Sequence, residues 1–208
     1  MLIKSISYNQ EEIIKSILQL QNCNIDLDPT YSKGNFYKKT KIKEPLHKFD
    51  MYPRTPDVKQ ACATNLPFDN ESLNCIMFDP PFLATTGKSL KDKTKNKILQ
   101  RFGVFKNEKD LHIFYNEALT EMYRILNYEG ILIFKCQDKV SSGKQYFSHC
   151  YIYEQARKCG FYAKDLYILL AKNRIVADWQ LKNQKHARKF HSYFWVFLKK
   201  KRKVNLCI

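Results

Sequence analysis

Asn74-Cys75-Ile76-Met77-Phe78-Asp79-Pro80-Pro81-Phe82 is an apolar run that stops abruptly on an acid and two prolines. Apolar residues in unbroken succession suit a strand buried on both faces, as in a parallel sheet. The prolines remove two backbone donors and hold the chain extended. A strand over Asn74 to Asp79 would then end with two acceptors lacking local donors, the Asp79 carboxylate and the Pro80 carbonyl. Such a pair can grip an NH2 group. An amino group conjugated to a base ring is a poor nucleophile, and drawing on both its hydrogens pushes it toward sp3 geometry with a usable lone pair. An aromatic ring at Phe82 can stack on that base. The same four residues also describe a rigid turn with Phe82 packed in a core.

Working outward, the chain alternates helices with short strands. Asn9 reads as an N-cap with Glu12 three residues on, and Ile13, Ile14, Ile17, Leu18 and Leu20 follow at helical spacing, giving a helix over 9–21. Asn24 to Asp28 alternates apolar residues and is stopped by Pro29, which predicts a strand leading into a loop through Gly34. Leu46 to Asp50 and Val58 to Ala61 are further short strands. Asn107 caps a helix through Leu126, and Gly130 leads into the strand Ile131 to Cys136. A helix from Phe147 to Cys159 ends at Gly160, and strands Tyr162 to Ala171 and Phe190 to Leu198 complete the pattern. This order predicts a three-layer α/β fold with a mostly parallel seven-stranded sheet and a C-terminal antiparallel hairpin. Ligands of such sheets gather at the carboxyl ends of strands, where Asp28, Asp50 and Asp79 all fall.

The 208 residues fit a single domain over 1–208, with a basic flexible loop at about 83–110 and a basic tail at 199–208. In the loop, eight Lys or Arg residues, Lys88, Lys91 and Arg101 among them, face three acids. The whole chain carries 36 Lys and Arg against 20 Asp and Glu, a net charge of +16, which points to a polyanionic partner. With 44% hydrophobic and 27% charged residues, a disordered or fibrous chain is excluded. No run approaches the ~20 apolar residues of a membrane span, and the N-terminus, with Lys4, Glu11 and Glu12, lacks the apolar stretch of a secretory signal. A cytoplasmic protein without a membrane partner is expected. The seven cysteines form no CxxC pair and lie mostly among apolar neighbours, which suits reduced core thiols and implies no metal site.

The motif at 79–82 resembles the hallmark of the class I S-adenosylmethionine-dependent amino methyltransferases, (Asp/Asn/Ser)-Pro-Pro-(Tyr/Phe/Trp) after the fourth strand. The stretch Asn65 to Asn74 is similar to the family's link between strands three and four. Asp28-Pro29-Thr30-Tyr31-Ser32-Lys33-Gly34 resembles the cofactor loop Asp-Pro-Phe-x-Gly-x-Gly, with Ser32 in place of the first glycine. The resemblance implies the Rossmann-like class I methyltransferase fold and S-adenosylmethionine (SAM) as cofactor. Asp28, Pro29, Thr30, Ser32 and Gly34 would hold SAM, and Asp50 would take the ribose hydroxyls, its plainer alternative being a turn Asp ahead of Pro53. Where the family often has an acid beside the adenine, this chain has Cys62-Ala63-Thr64, so Asn65 is the substitute partner. Asp79, Pro80, Pro81 and Phe82 would be the catalytic group.

Gln184 to Phe197 is similar to a basic-then-His-Glu-Tyr-apolar stretch of many DNA methyltransferases, with Ser192 replacing the Glu. Arg188, Lys189 and His191 join Lys88, Lys91 and Arg101 as nucleic-acid contacts, although for any single Lys a solvated face is the plainer reading. The resemblance runs from about residue 5 to 199 but omits a target-recognition domain, which leaves room for a separate specificity partner or a homodimer. The implied activity is DNA amino-group methylation, adenine N6 first because Asp opens the motif. Cytosine N4 and RNA adenine N6 are alternatives, and a catalytically silent nucleic-acid-binding protein is the rival of another class. The setting expected is bacterial or viral. A dinucleotide-dependent oxidoreductase is disfavoured because GxGxxG is absent.

Overall fold

The apolar run that opens the motif becomes the centre of a sheet. The computed structural model describes residues 2–38, 40–84, 105–141, 143–173 and 184–201. Among them, in chain order, are β1 (Ile6–Ser7), α1 (Gln10–Gln21), β2 (Leu27–Asp28), β3 (His47–Asp50), β4 (Lys59–Gln60), β5 (Leu73–Phe78), α2 (Glu108–Ile125) and β6 (Leu126–Cys136). They continue with β7 (Lys139–Ser141), β8 (Lys144–Tyr146), α3 (Ser148–Cys159), β9 (Phe161–Leu170) and β10 (His191–Lys199). The main sheet has the order β1-β9-β10-β6-β5-β2-β3-β4, and β10 runs antiparallel to both its neighbours while the other pairings are parallel.

The sheet therefore has eight strands where seven were expected. The extra one, β1, adds two residues to the β9 edge, through Ile6↔Ile168 and Ser7↔Leu169, too short a segment to show periodicity in sequence. A separate ribbon, β7–β8, follows β6 and was likewise unforeseen. β6 also starts earlier than Ile131. Pairing Leu73↔Leu126 and then Cys75↔Ile131 leaves a bulge over 127–130, in which Glu129 takes a left-handed conformation (φ 64°). Gly130 lies inside the strand instead of ahead of it.

Side chains alternate across the sheet and fill two cores. Leu132, Phe134 and Cys136 of β6 pack with Ile76 and Phe78 of β5 under Tyr115, Ala118, Leu119 and Met122 of α2 and Ile152 and Ala156 of α3. Ile131 and Ile133 pack on the other face with Cys75, Met77 and Phe194, under Ile13, Ile14 and Ile17 of α1 and Tyr31, Phe36 and Tyr37 of the β2–β3 connection. Each large apolar side chain so buried contributes about 1.5–3 kcal/mol.

Asn9 and Asn107 cap α1 and α2 by accepting from Glu11 and Asp110 amides. Glu12 does not close the expected reciprocal box. Its carboxylate accepts from the Ser7 hydroxyl (2.6 Å), and that oxygen accepts from the Asn9 N–H (2.9 Å). Lys199 is corrected too: instead of opening a solvated tail it is 2% exposed and ends β10, donating to the Leu126 carbonyl (2.8 Å) and Glu71 (3.2 Å). Only 199–201 of the tail and 83–84 and 105–110 of the basic loop are among the described residues. No helix among the described residues is long and apolar enough to cross a membrane.

Candidate active site

Three strands end together at the carboxyl rim: β2 with Asp28, β3 with Asp50, and β5 with Phe78 ahead of Asp79. The turn after β2 joins them. Thr30 donates its N–H (2.8 Å) and its hydroxyl (3.1 Å) to Asp28 Oδ1, and the Thr30 hydroxyl oxygen accepts the Asp79 N–H (2.9 Å). The Ser32 N–H reaches Asp50 Oδ2 (2.9 Å), and the Tyr52 N–H takes Oδ1 (2.8 Å). The predicted cofactor loop, ribose acid and motif Asp thus belong to one hydrogen-bonded unit.

Ser32 stands where glycine was expected, yet it keeps a left-handed backbone (φ 53°), so the turn is retained at the cost of some strain. Gly34 is also left-handed (φ 70°), and a Cβ there would lie 2.4 Å from the Tyr31 hydroxyl. The close approach that excludes a side chain at Gly34 is to the chain's own Tyr31. Pro29 is buried beneath the turn. Asn65 is exposed beyond β4, two strands from Asp28, with its N–H on the Cys62 carbonyl (2.9 Å).

The motif is held by donors that its sequence does not contain. Tyr115 of α2 donates to the Pro81 carbonyl (3.0 Å), and Lys139 of β7 donates to the Phe82 carbonyl. Lys139 also pairs with Glu108 (3.0 Å). Among the described residues no donor is paired with the Pro80 carbonyl just ahead of them. The Asp79 carboxylate is 27% exposed and, among the described residues, has one ionic partner, Lys135 Nζ, 3.4 Å from Oδ2. Burial pushes the Asp79 carboxyl above its usual range and Lys135 opposes that push. Asp28, 1% exposed, is pushed up to about 7 by burial, against the hydrogen bonds of Thr30 and Tyr37, whose hydroxyl donates to Oδ2 (2.8 Å). Burial and Asp28 raise the Tyr37 phenol as well, so it remains a donor.

A second cluster occupies the opposite face of the same rim. Asp138, just past β6, accepts from the His149 N–H (3.2 Å) and Nδ1 (2.8 Å) and, at 3.5 Å, from the Tyr193 hydroxyl. The His149 and Tyr193 rings stack at 4.2 Å. With Nδ1 protonated toward Asp138, Nε2 accepts from the Cys150 thiol (3.3 Å). Burial raises that thiol, which suits a donor and not a nucleophile.

Of the predicted nucleic-acid contacts, Lys88, Lys91 and Arg101 lie outside the described residues. Arg188 and Lys189 are half-buried ahead of β10, Lys189 donating to the Ala187 carbonyl (3.2 Å). His191 Nε2 meets the Tyr193 hydroxyl (3.0 Å). Sequence reasoning missed Lys135, Tyr37, Tyr115, Lys139, Asp138 and His149. One signal was available, a lysine interrupting the apolar strand Ile131 to Cys136 just before its rim. Among the described residues no group of three His, Cys, Asp or Glu side chains is placed to hold a metal ion.

Solved structures match this architecture. An S-adenosylmethionine-dependent methyltransferase of Thermotoga maritima aligns over 92% of this chain and 88% of its own, with a TM-score of 0.54 and 16% identity. The chain adopts the class I methyltransferase fold. A complex of the Haloferax volcanii Trm112 methyltransferase activator with a methyltransferase matches this fold over 90% of the chain and 89% of the neighbour, with a TM-score of 0.51 and 14% identity. A DNA modification methylase of Thermus thermophilus aligns at 16% identity and a TM-score of 0.47 over 74% of the chain, and the chain spans about half of that protein, 55%. No protein-family model matches the chain, and no curated protein matches it in sequence.

Proposed function

We propose that the protein is a SAM-dependent methyltransferase that acts on an exocyclic amino group of a DNA base, adenine N6 in the first place. One observation carries the reading. Of three successive carbonyls after Asp79, those of Pro81 and Phe82 are occupied by Tyr115 and Lys139, while that of Pro80 has no donor among the described residues. Asp79 Oδ1 is in the same condition, since its one ionic partner lies at Oδ2. Two unpaired acceptors on adjacent residues match in number the two hydrogens of an NH2 group.

The residues present fit the cofactor. Asp50 uses one lone pair on each oxygen for Ser32 and Tyr52 and keeps the others for two ribose hydroxyls. Asp28, Pro29, Thr30, Ser32 and Gly34 form the turn beside it, and Asn65 supplies a polar group at the β4 end. SAM, when bound, supplies an electrophilic methyl group on a positively charged sulfur. Asp79 and the Pro80 carbonyl orient the amine and polarise its N–H bonds, and Phe82 stacks on the base. Catalysis is then positioning and electrostatics, without a covalent bond to the protein. In duplex DNA the amine is shielded, so the base must leave the stack. The +16 charge supports a nucleic-acid substrate, with Lys88, Lys91, Arg101, Arg188, Lys189 and His191 as candidate contacts.

The test is incubation with methyl-labelled SAM and unmodified genomic DNA or total RNA, followed by nucleoside mass spectrometry. N6-methyladenine in DNA is expected, with a loss of about 10²–10³-fold in Asp79→Ala while SAM binding is kept. N4-methylcytosine, or label in RNA alone, would change the substrate and keep the site. Nucleic-acid binding without SAM binding would identify a silent binding protein instead.

A further inference from the structure

Lys135 is unusual for its position. It interrupts a strand whose neighbours Ile133, Phe134 and Cys136 are all buried, and its own side chain is 18% exposed. The register explains where it points. Phe78 pairs with Phe134 in parallel, so the next residues, Asp79 and Lys135, emerge side by side at the rim. The ammonium lies 3.4 Å from Asp79 Oδ2, 4.9 Å from the centre of the Phe36 ring and 5.7 Å from that of Phe194. Two aromatic faces and one carboxylate thus hold the cation, from the β2–β3 connection, from β10 and from the loop after β5.

We infer that Lys135 is the positioning residue of this site: its ammonium keeps the Asp79 carboxylate charged and turned so that Oδ2 faces the lysine and Oδ1 faces the substrate amine. The inference rests on the reading of the site as an amino methyltransferase and adds the residue that prepares its acceptor. A protonated Asp79 would offer a donor where the amine needs an acceptor. Among the described residues, the other titratable groups that act on Asp79 cannot replace the lysine. The Asp28 carboxyl, across Thr30, is a like charge when ionised. Tyr115 of α2 and Cys136 of β6 are both raised by burial and stay neutral. The rings of Phe36 and Phe194 bring no charge, but they fix the ammonium so that it cannot swing into solvent.

The experiment follows the Asp79 carboxyl directly. The full chain is labelled with 13C at the Asp carboxyl carbons, the Asp79 resonance is assigned with Asp79→Asn, and its titration is compared in wild type, Lys135→Met and Lys135→Arg. The midpoint is expected to rise by about one to three pH units in Lys135→Met and to stay near wild type in Lys135→Arg. The acid limb of the kcat profile should move with it, with KM for nucleic acid unchanged. If Lys135→Met does not fold, Lys135→Gln takes its place in the same titration. A midpoint that does not move when the ammonium is removed overturns the inference, whatever the activity. A wild type that methylates neither DNA nor RNA but shows the shift removes the methyltransferase reading and upholds the pairing.

Discussion

Asp28 and Asp138 are withdrawn from solvent to almost the same degree, 1% and 2% exposed, on opposite faces of one sheet rim, yet they are satisfied by different chemistry. Asp28 receives hydrogen bonds from a backbone amide and two hydroxyls, all neutral. Asp138 receives them from an imidazole and its own backbone amide, with a tyrosine at longer range. Neutral donors do not replace the hydration that an ionised carboxylate loses on burial, which is why Asp28 is pushed up to about 7. One face of the rim therefore holds an acid near its proton, next to the Asp79-Pro80-Pro81-Phe82 motif. The other holds an acid–imidazole pair whose hydrogen bonds fasten β6, α3 and β10 together.

The largest expected effect tests the Asp28 side. A carboxyl whose folded pKa lies near 7, above the 3.8 of an ordinary Asp, contributes stability that is fully present below about 4 and lost as pH rises through 7. The unfolding free energy of wild type, relative to Asp28→Asn, should fall by on the order of 4 kcal/mol between pH 4 and pH 8. Denaturant titrations at several pH values measure this, and parallel pH profiles for the two proteins would erase the contrast between the two acids. Next is Asp138→Ala. It strands the His149 N–H and ring donor, and about 3 kcal/mol of stability should be lost with SAM affinity unchanged. A loss of SAM binding there would show that the second cluster belongs to the cofactor site and end the division of labour drawn above.

A smaller effect is expected at the turn between Asp28 and Asp50. Gly34→Ala must adopt φ near 70° with its Cβ against Tyr31, and about 2 kcal/mol of stability should be lost. Thermal melts that superpose on wild type would mean that the turn relaxes and that Tyr31 does not set its shape. Smallest is Thr30→Val, which removes the hydroxyl joining Asp28 to the Asp79 amide, at about 1 kcal/mol. Should the Asp28 midpoint, followed by carboxyl NMR, stay where it is in that variant, the hydroxyl bond is not among the forces that oppose its rise.

Much of this rim could be read before any coordinates. Asp28-Pro29-Thr30 and Asp79-Pro80-Pro81 are local statements, because proline fixes φ and removes a donor wherever it stands, so the strand must stop at each acid. Asn107 and Gly160 ended their helices as read, for equally local reasons of capping. The eighth strand could not be read, since two residues carry no period and β1 exists only because the β9 edge offers unpaired groups. Lys199 was misread for a related reason. A run of lysines looks solvated in sequence, and only the packing of Tyr123 and Tyr128 around the end of β10 buries its first member.

The alternation of strands and helices, the acids at three strand ends and the proline motif were legible from the order of residues, because each depends on residues within a few positions of one another. Tertiary structure alone decided which acceptors stay open and how the acid is charged. Tyr115, Lys139 and Lys135 come from elements 34, 57 and 56 residues away from the groups they meet, and strand register and helix packing bring them there. Electrostatics acts through space at a few ångströms, so the Asp79 carboxyl answers to its burial and to a lysine across the sheet, which the order of residues along the chain does not reveal.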